Sequence, residues 1–520
     1  MSGRRLRWLS LGLVTTAGAG VLGLSAMVNP ASAHADGEDI GLVIGGTELP
    51  IPGPAYVGAA DELYLENGPG GVPTYPDITT FYQATPATDG FGNGLFTPEG
   101  AYPLFGGGVQ QLFYNYPLNV DGLAGPSTSV GQGAAILEST ILSDEANGDA
   151  STVFGYSQSS TLSGVTMQLL DPTGANDSGQ LDAPQFLLIA DPNNPNGGLF
   201  ERFNGFETMS GQPTVDQLNL ASLGIAFNGA TPSDDFTTNI YSLEYDGFTD
   251  FPRYPINLLS DLNAFLGIED LHGTYLNGGV DGSGPTAAEI AGATLLPGSA
   301  LDGTADSLTN YYMIDETAPL VSLLPTQLQE LLGPDLTYLI NLGYGDGTLG
   351  YSVTADSPAN MATPFGLFPD VSLSTVLSTL ATDTEQGFQN LISGTDPYAA
   401  ALDPATSSAT TLPDLLSALE ADAADPAATF TEFVNALSSA ASTLYSTLLP
   451  TADIINSLVT SMPSWETSIF ADTLSNGDLL DALGLPVAGT VAIGTLAAGF
   501  EVSILSDAFS QVAADFSGLF

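Results

Sequence analysis

Residues 151–160, STVFGYSQSS, decide the reading of this chain. Apolar and β-branched residues run into Gly155-Tyr156-Ser157-Gln158-Ser159, and Thr161 to Leu170 leaves with helical character. A strand that turns sharply into a helix lifts a serine hydroxyl clear of the backbone, provided the residues two before and two after it are small. Gly155 and Ser159 meet that condition, with Ser159 in place of the commoner glycine. Gly125-Pro126-Ser127-Thr128-Ser129 has the same spacing, but a proline precedes its serine and no apolar strand leads in. The flanking context therefore makes Ser157 the candidate nucleophile, against the plainer reading of a polar turn residue in a serine-rich chain.

Working outward, Asp39 to Gly46 reads as a short buried strand ending in a glycine turn, and Pro184 to Ala190 and Asn239 to Tyr245 read as further strands. Gly133 to Leu142 has helical spacing. Strands alternating with helices predict an α/β fold with a central, mainly parallel sheet. Beyond about residue 370 the composition shifts to Ala, Ser, Thr, Leu and Asp. Phe430, Phe433, Val434, Leu437, Leu444 and Leu448 fall on one helical face, which predicts a mostly helical C-terminal extension, docked or self-associating. Ala482 to Phe500 carries no charge but is rich in Gly and Ala and lacks basic flanks, so it reads as a packed helix and not a membrane span. The expected layout is a leader over 1–33, an α/β domain over 34–375 and an acidic helical extension over 376–520.

The leader follows from Arg4, Arg5 and Arg7, the uncharged stretch from Trp8 to Val28, and the small residues Ala31-Ser32-Ala33. It predicts a secreted or envelope-associated protein, with an uncleaved anchor as the other form of the same segment. There is no cysteine, so stability has to come from core packing. The formal net charge of the chain is −53. Once the leader is removed, only Arg202 and Arg253 remain as basic residues, and the charge is about −56. Such a chain cannot neutralise phosphates, which excludes nucleic acid and charge-driven binding to anionic lipid, and points to a neutral substrate.

A serine hydroxyl needs a base, and the chain holds two histidines, His34 at the leader junction and His272. His272 is the candidate by elimination. The carboxylate that would orient it should follow the serine and precede the histidine, on a turn after a late strand. Tyr245 to Pro252 (YDGFTDFP) supplies two: Asp250, favoured because Gly247 and Pro252 shape a turn around it, and Asp246 as the close second, with Asp191 a distant third. Backbone donors for an oxyanion are expected from Gln158, after the nucleophile, and from Gly46 and Thr47 after the first strand, with the Thr47 hydroxyl as a further donor. No metal or cofactor is called for. The acidic turn Asp191 to Gly197 is a poor calcium loop, because proline occupies a ligand position.

GGTELPIP (45–52), GYSQSS (155–160), DPNNPNGGLFERF (191–203), YDGFTDFPRYPINLL (245–259), LHGTY (271–275), NLGYGD (341–346) and TPFGLFP (363–369) together resemble the PE-PPE domain serine hydrolases of mycobacteria, a family related to cutinases. The resemblance runs from about residue 40 to 370. It implies an α/β-hydrolase fold and a Ser-Asp-His triad acting on acyl esters, with Ser157 as nucleophile, the acid within YDGFTDFP and the LHGTY histidine as base. The chain departs from that family in showing a leader where the N-terminal PE or PPE helical module would stand, and from cutinases in having no disulfides. The resulting expectation is a secreted esterase or lipase on a neutral acyl ester or glycolipid, with an envelope lipid surface as a further partner. The alternatives are an acyltransferase loading trehalose-type envelope glycolipids and a non-catalytic lipid-binding protein of the envelope.

Overall fold

A computed structural model describes residues 38–69, 75, 78–82, 92–105, 111–174, 184–204, 218–303, 307–393 and 426–517. The expected leader and His34 lie outside the described residues. Seven strands form one sheet: β1 (Asp39–Val43), β2 (Ile78–Phe81), β3 (Ala150–Tyr156), β4 (Gln185–Ile189), β5 (Thr238–Leu243), β6 (Thr294–Leu295) and β7 (Thr309–Ile314). Their order across the sheet is β2-β1-β3-β4-β5-β7-β6. All neighbours are parallel except β6, which pairs antiparallel with β7. This is the mostly parallel α/β sheet expected, consistent with an α/β-hydrolase-like fold.

The central strands are apolar runs because both sheet faces are covered. Every residue of β5 is buried, and in β3 all but Ala150 are. Two helices flank the decisive strand: α1 (Ser129–Asn147) before it and α2 (Gln158–Leu170) after it. The Thr128 side chain accepts from the Gly131 amide to cap α1, and Gly148, with φ of 88°, closes its other end. The formal serine competitor in GPSTS is thereby explained, since that segment is the cap of α1. α3 (Leu258–Asp270) and α4 (Thr326–Asn341) are further helices of the domain, and the helical segment Pro54–Ala60 packs Val57 and Ala60 into the core on the sheet's other face.

The C-terminal residues form α5 (Leu373–Ser393), α6 (Pro426–Ser446), α7 (Leu448–Asn456), α8 (Met462–Ser475) and α9 (Leu479–Ser517), with a π-helical turn at Ser457–Ser461. They are helical and docked. Trp465 of α8 lies 5.8 Å, centroid to centroid, from Phe203 and 6.0 Å from Phe365, within the same apolar core as the sheet. α9 is long and apolar enough to cross a membrane by composition. Its small residues have another use, since close approach of a helix to its neighbours requires the side chain to vanish. A Cβ at Gly484 would sit 2.4 Å from Leu367, one at Gly489 2.6 Å from Trp465, and one at Gly499 2.4 Å from Phe265. The apolar stripe expected on α6 behaves differently: Ala436 and Ala440 face inward, while Val434, Leu437 and Leu444 are exposed.

Candidate active site

Ser157 stands at the tip of β3 with φ 57° and ψ −113°, a conformation L-residues adopt only when their surroundings impose it. Three features impose it here. The Ser157 amide donates to the Ile189 carbonyl at the end of β4, 3.1 Å away. A Cβ at Gly155 would lie 2.9 Å from the Ser159 carbonyl oxygen, so only glycine fits. The Ser159 hydroxyl accepts from the Tyr156 amide at 2.6 Å. Serine at this last position, read from sequence as merely tolerated, thus ties the turn together.

His272 follows α3, and its Nε2 lies 2.8 Å from Ser157 Oγ. Its Nδ1 lies 2.8 Å from Asp246 Oδ2 and 3.1 Å from Oδ1. A carboxylate only accepts, so Nδ1 carries the proton and Nε2 is left to accept from the serine hydroxyl. The imidazole is buried and Asp246 fully so, whereas Ser157 is only half-buried and reachable.

The acid beside His272 is therefore Asp246, and the preference for Asp250 is corrected. Asp250 turns away: its Oδ2 accepts from the Tyr245 amide at 3.0 Å, and burial pushes its carboxyl well above the usual range. Asp246 is instead surrounded by donors, taking Tyr275 Oη–H at 2.9 Å and the Phe248 amide at 3.1 Å in addition to His272. Burial, with the Asp246 charge next, holds the Tyr275 phenol well above its ordinary pKa, so it remains a donor. Tyr275 itself accepts from the Leu243 amide at 2.8 Å. Tyr156 Oη–H donates to the His272 carbonyl, fixing the loop that carries the imidazole. Asp191, the third candidate, is engaged elsewhere with Thr231 Oγ1 at 2.7 Å and the Asn193 amide at 3.0 Å.

Sequence reasoning missed Tyr275, Tyr156 and Phe248 as supports. Tyr275 was visible as a buried-type residue three positions after His272, but nothing local said which aspartate it would meet. The acidic turn after β4 is likewise an internal network: Arg202, fully buried, donates to the carbonyls of Phe251 and Thr363 and to Asn196 Oδ1.

Of the expected oxyanion donors, Gln158 is the first residue of α2, where an amide has no intrahelical acceptor. Gly46 runs beside the turn, its would-be Cβ 3.3 Å from the Tyr156 carbonyl and 3.7 Å from Ser157 Cβ. The Thr47 hydroxyl donates to Gln158 Oε1 at 3.0 Å, and Gln158 Nε2 donates to Ser129 Oγ at 2.7 Å and to the Gly100 carbonyl at 3.1 Å. That side-chain chain braces the two turns against each other. The Thr47 hydroxyl hydrogen is committed there, which leaves backbone amides as the donors at this corner. Two cavities of about 550 and 490 Å³ lie away from Ser157, one between α4 and α5 and one beside Arg253 and Leu480.

The chain is 34% identical over 521 residues to PPE28, an uncharacterised PPE family protein of Mycobacterium tuberculosis (strain ATCC 25618 / H37Rv), a match covering 96% of this chain and 70% of that protein. It is 36% identical over 282 residues to the esterase PE16 of the same organism, covering 53% of this chain and 45% of that protein. It is 36% identical over 305 residues to the PE family protein PE3, again of that organism, covering 56% of this chain and 54% of that protein. The chain thus spans about half the length of the last two. No solved structure matches. A family model for the PE-PPE domain matches residues 93–345, a span that holds Ser157, Asp246 and His272 and begins after the Gly46-Thr47 turn. With the family model and these relatives in agreement, the chain belongs to the PE-PPE domain family.

Proposed function

We propose that this chain is a serine hydrolase of carboxylic acyl esters, with Ser157 as nucleophile, His272 as general base and Asp246 as its orienting carboxylate. The observation that carries this reading is the unbroken line of short contacts from Asp246 through His272 to Ser157, 2.8 Å at each step. The esterase relative adds weight at the level of the family.

In this mechanism His272 Nε2 takes the Ser157 proton as Oγ attacks the ester carbonyl, and Asp246 stabilises the imidazolium that forms. The amide of Gln158 and the Gly46-Thr47 turn offer donors to the tetrahedral oxyanion. His272 then protonates the departing alcohol, leaving an acyl-enzyme on Ser157. Water activated by the same imidazole releases the acid; a sugar hydroxyl in its place would turn the reaction into acyl transfer. The substrate is neutral, because a chain of net charge −53 repels anions. The uncharged stretch Trp8 to Val28 and the apolar C-terminal helix favour work at the cell envelope.

The test is pre-steady-state kinetics on nitrophenyl acyl esters, with and without trehalose, for the wild type and Ser157→Ala. A burst in the wild type and a fall of about 10⁴-fold or more in the variant is expected. Trehalose-dependent product would establish transfer. Equal, negligible rates from two folded proteins would replace the hydrolase with a non-catalytic lipid binder.

A further inference from the structure

The C-terminal helices reach the catalytic corner, although they lie outside the span matched by the family model. Two lines of contact lead from Ser157 to one residue of α9. Along the first, the Phe248 ring stands edge-on to His272 with centroids 4.6 Å apart, and Phe500 of α9 lies 6.4 Å from Phe248. Along the second, Gln158 donates to the Gly100 carbonyl, the neighbouring segment bridges Ala101 to Phe105, and the Phe105 ring is 6.4 Å from Phe500 at an interplanar angle of 84°. Phe265 of α3 backs Phe500 from beneath at 5.7 Å. Gly499, next in the chain, lets α9 approach that ring so closely.

Phe105, Phe248 and Phe500 are each only partly buried, as is Ser157 itself. An aromatic surface left half-open beside a reachable hydroxyl loses water favourably when an apolar chain covers it. The charge of the protein rules against an anionic occupant, and no Lys occurs anywhere in the chain to hold one. We infer that Phe500, with Phe105 and Phe248, forms the wall of an acyl-chain subsite, so that the C-terminal helical region sets the preference of this enzyme for long acyl esters. This rests on the reading of Ser157 as nucleophile, but acyl binding can be measured apart from it.

The experiment uses the full chain and compares kcat/KM for nitrophenyl laurate with that for nitrophenyl acetate. Phe500→Ala is expected to lower the laurate-to-acetate ratio about tenfold, and Phe500→Leu, which restores an apolar wall, to recover most of it. Phe509→Ala, exposed further along the same helix, should keep the wild-type ratio and so controls for loosening of α9. An unchanged ratio in Phe500→Ala, or an equal fall in Phe509→Ala, overturns the inference. In parallel, fluorescence of the methyl ester of cis-parinaric acid, a neutral polyene probe, is titrated against Ser157→Ala with and without Phe500→Ala. If the wild type hydrolyses nothing, the hydrolase reading fails while this titration still decides the wall: weaker binding in the double variant upholds it, equal binding overturns it.

Discussion

The turn after β3 and the turn after β5 each bend around a non-glycine residue of positive φ, Ser157 at 57° and Tyr245 at 68°, yet they are held by different means. The first is held by small size: Gly155 admits the Ser159 carbonyl, and the Ser159 hydroxyl takes the Tyr156 amide. The second is held by a buried acid, Asp250, whose carboxyl takes the Tyr245 amide from inside the turn. A turn built on size leaves its mark in residue type, whereas a turn built on a carboxyl looks, in a chain with 58 acidic residues, like any solvated loop. In the β5 turn two aspartates four positions apart thus divide the labour, Asp246 toward His272 and Asp250 toward the backbone.

The sharpest way to break that division is to exchange each carboxyl for its amide. Asp246→Asn leaves the shape intact but lets Nδ1 accept instead of donate, which puts the proton on the wrong nitrogen; kcat is expected to fall about 10⁴-fold. Asp250→Asn should leave kcat within a few-fold, since this carboxyl faces the Tyr245 amide and not His272, and an amide oxygen accepts from Tyr245 equally well. Steady-state kinetics on one ester decides it, with a melting curve to show that both variants are folded. Equal losses from the two substitutions would mean that both carboxyls act on His272.

This division also shows what was legible. The parallel sheet, the strand-turn-helix at Ser157 and the helical C-terminal region follow from periodicity and residue size, which are local properties. His272 followed from scarcity, since a single other histidine occurs in the chain. The choice between Asp246 and Asp250 does not follow from either. It depends on Tyr275 and the Phe248 amide converging on one carboxyl and not the other, and that is a fact of tertiary packing between residues up to 29 positions apart. The same holds for α9, which reads as a packed helix without its composition naming Trp465, Leu367 or Phe265 as the side chains its glycines approach.

Buried acids such as Asp250, whose carboxyl burial pushes well above the usual range, give the fold a pH dependence of its own. Burial pushes Asp191 up to about 6, Glu244 and Glu316 to about 7, and Glu99 and Glu201 to about 8. In the unfolded chain such groups titrate near 4. Over the intervening range the native state therefore holds more protons than the unfolded one, so stability falls as pH rises. Their contribution is fully present below about pH 4 and is lost progressively up to about pH 8. Growing net negative charge acts with the same sign. Calorimetry from pH 5.5 to 8.5 should show Tm decreasing throughout, and Asp250→Asn should flatten the slope. A flat or rising profile in the wild type would show that these acids are solvated.

The smallest effect belongs to the other turn. Ser159→Ala removes the hydroxyl that takes the Tyr156 amide but keeps the small size the turn demands. Loss of this acceptor leaves the buried Tyr156 amide without it, at about 1–3 kcal/mol, and alanine returns part of that because Ser159 lies in the first turn of α2, where it is the better helix former. Stability should therefore fall by about 1–2 kcal/mol, with kcat close to wild type. A large fall in kcat at unchanged stability would carry a different meaning. It would show that the hydroxyl aims Ser157 Oγ at His272, making the β3 turn dependent on a polar contact just as the β5 turn is, and removing the distinction between the two.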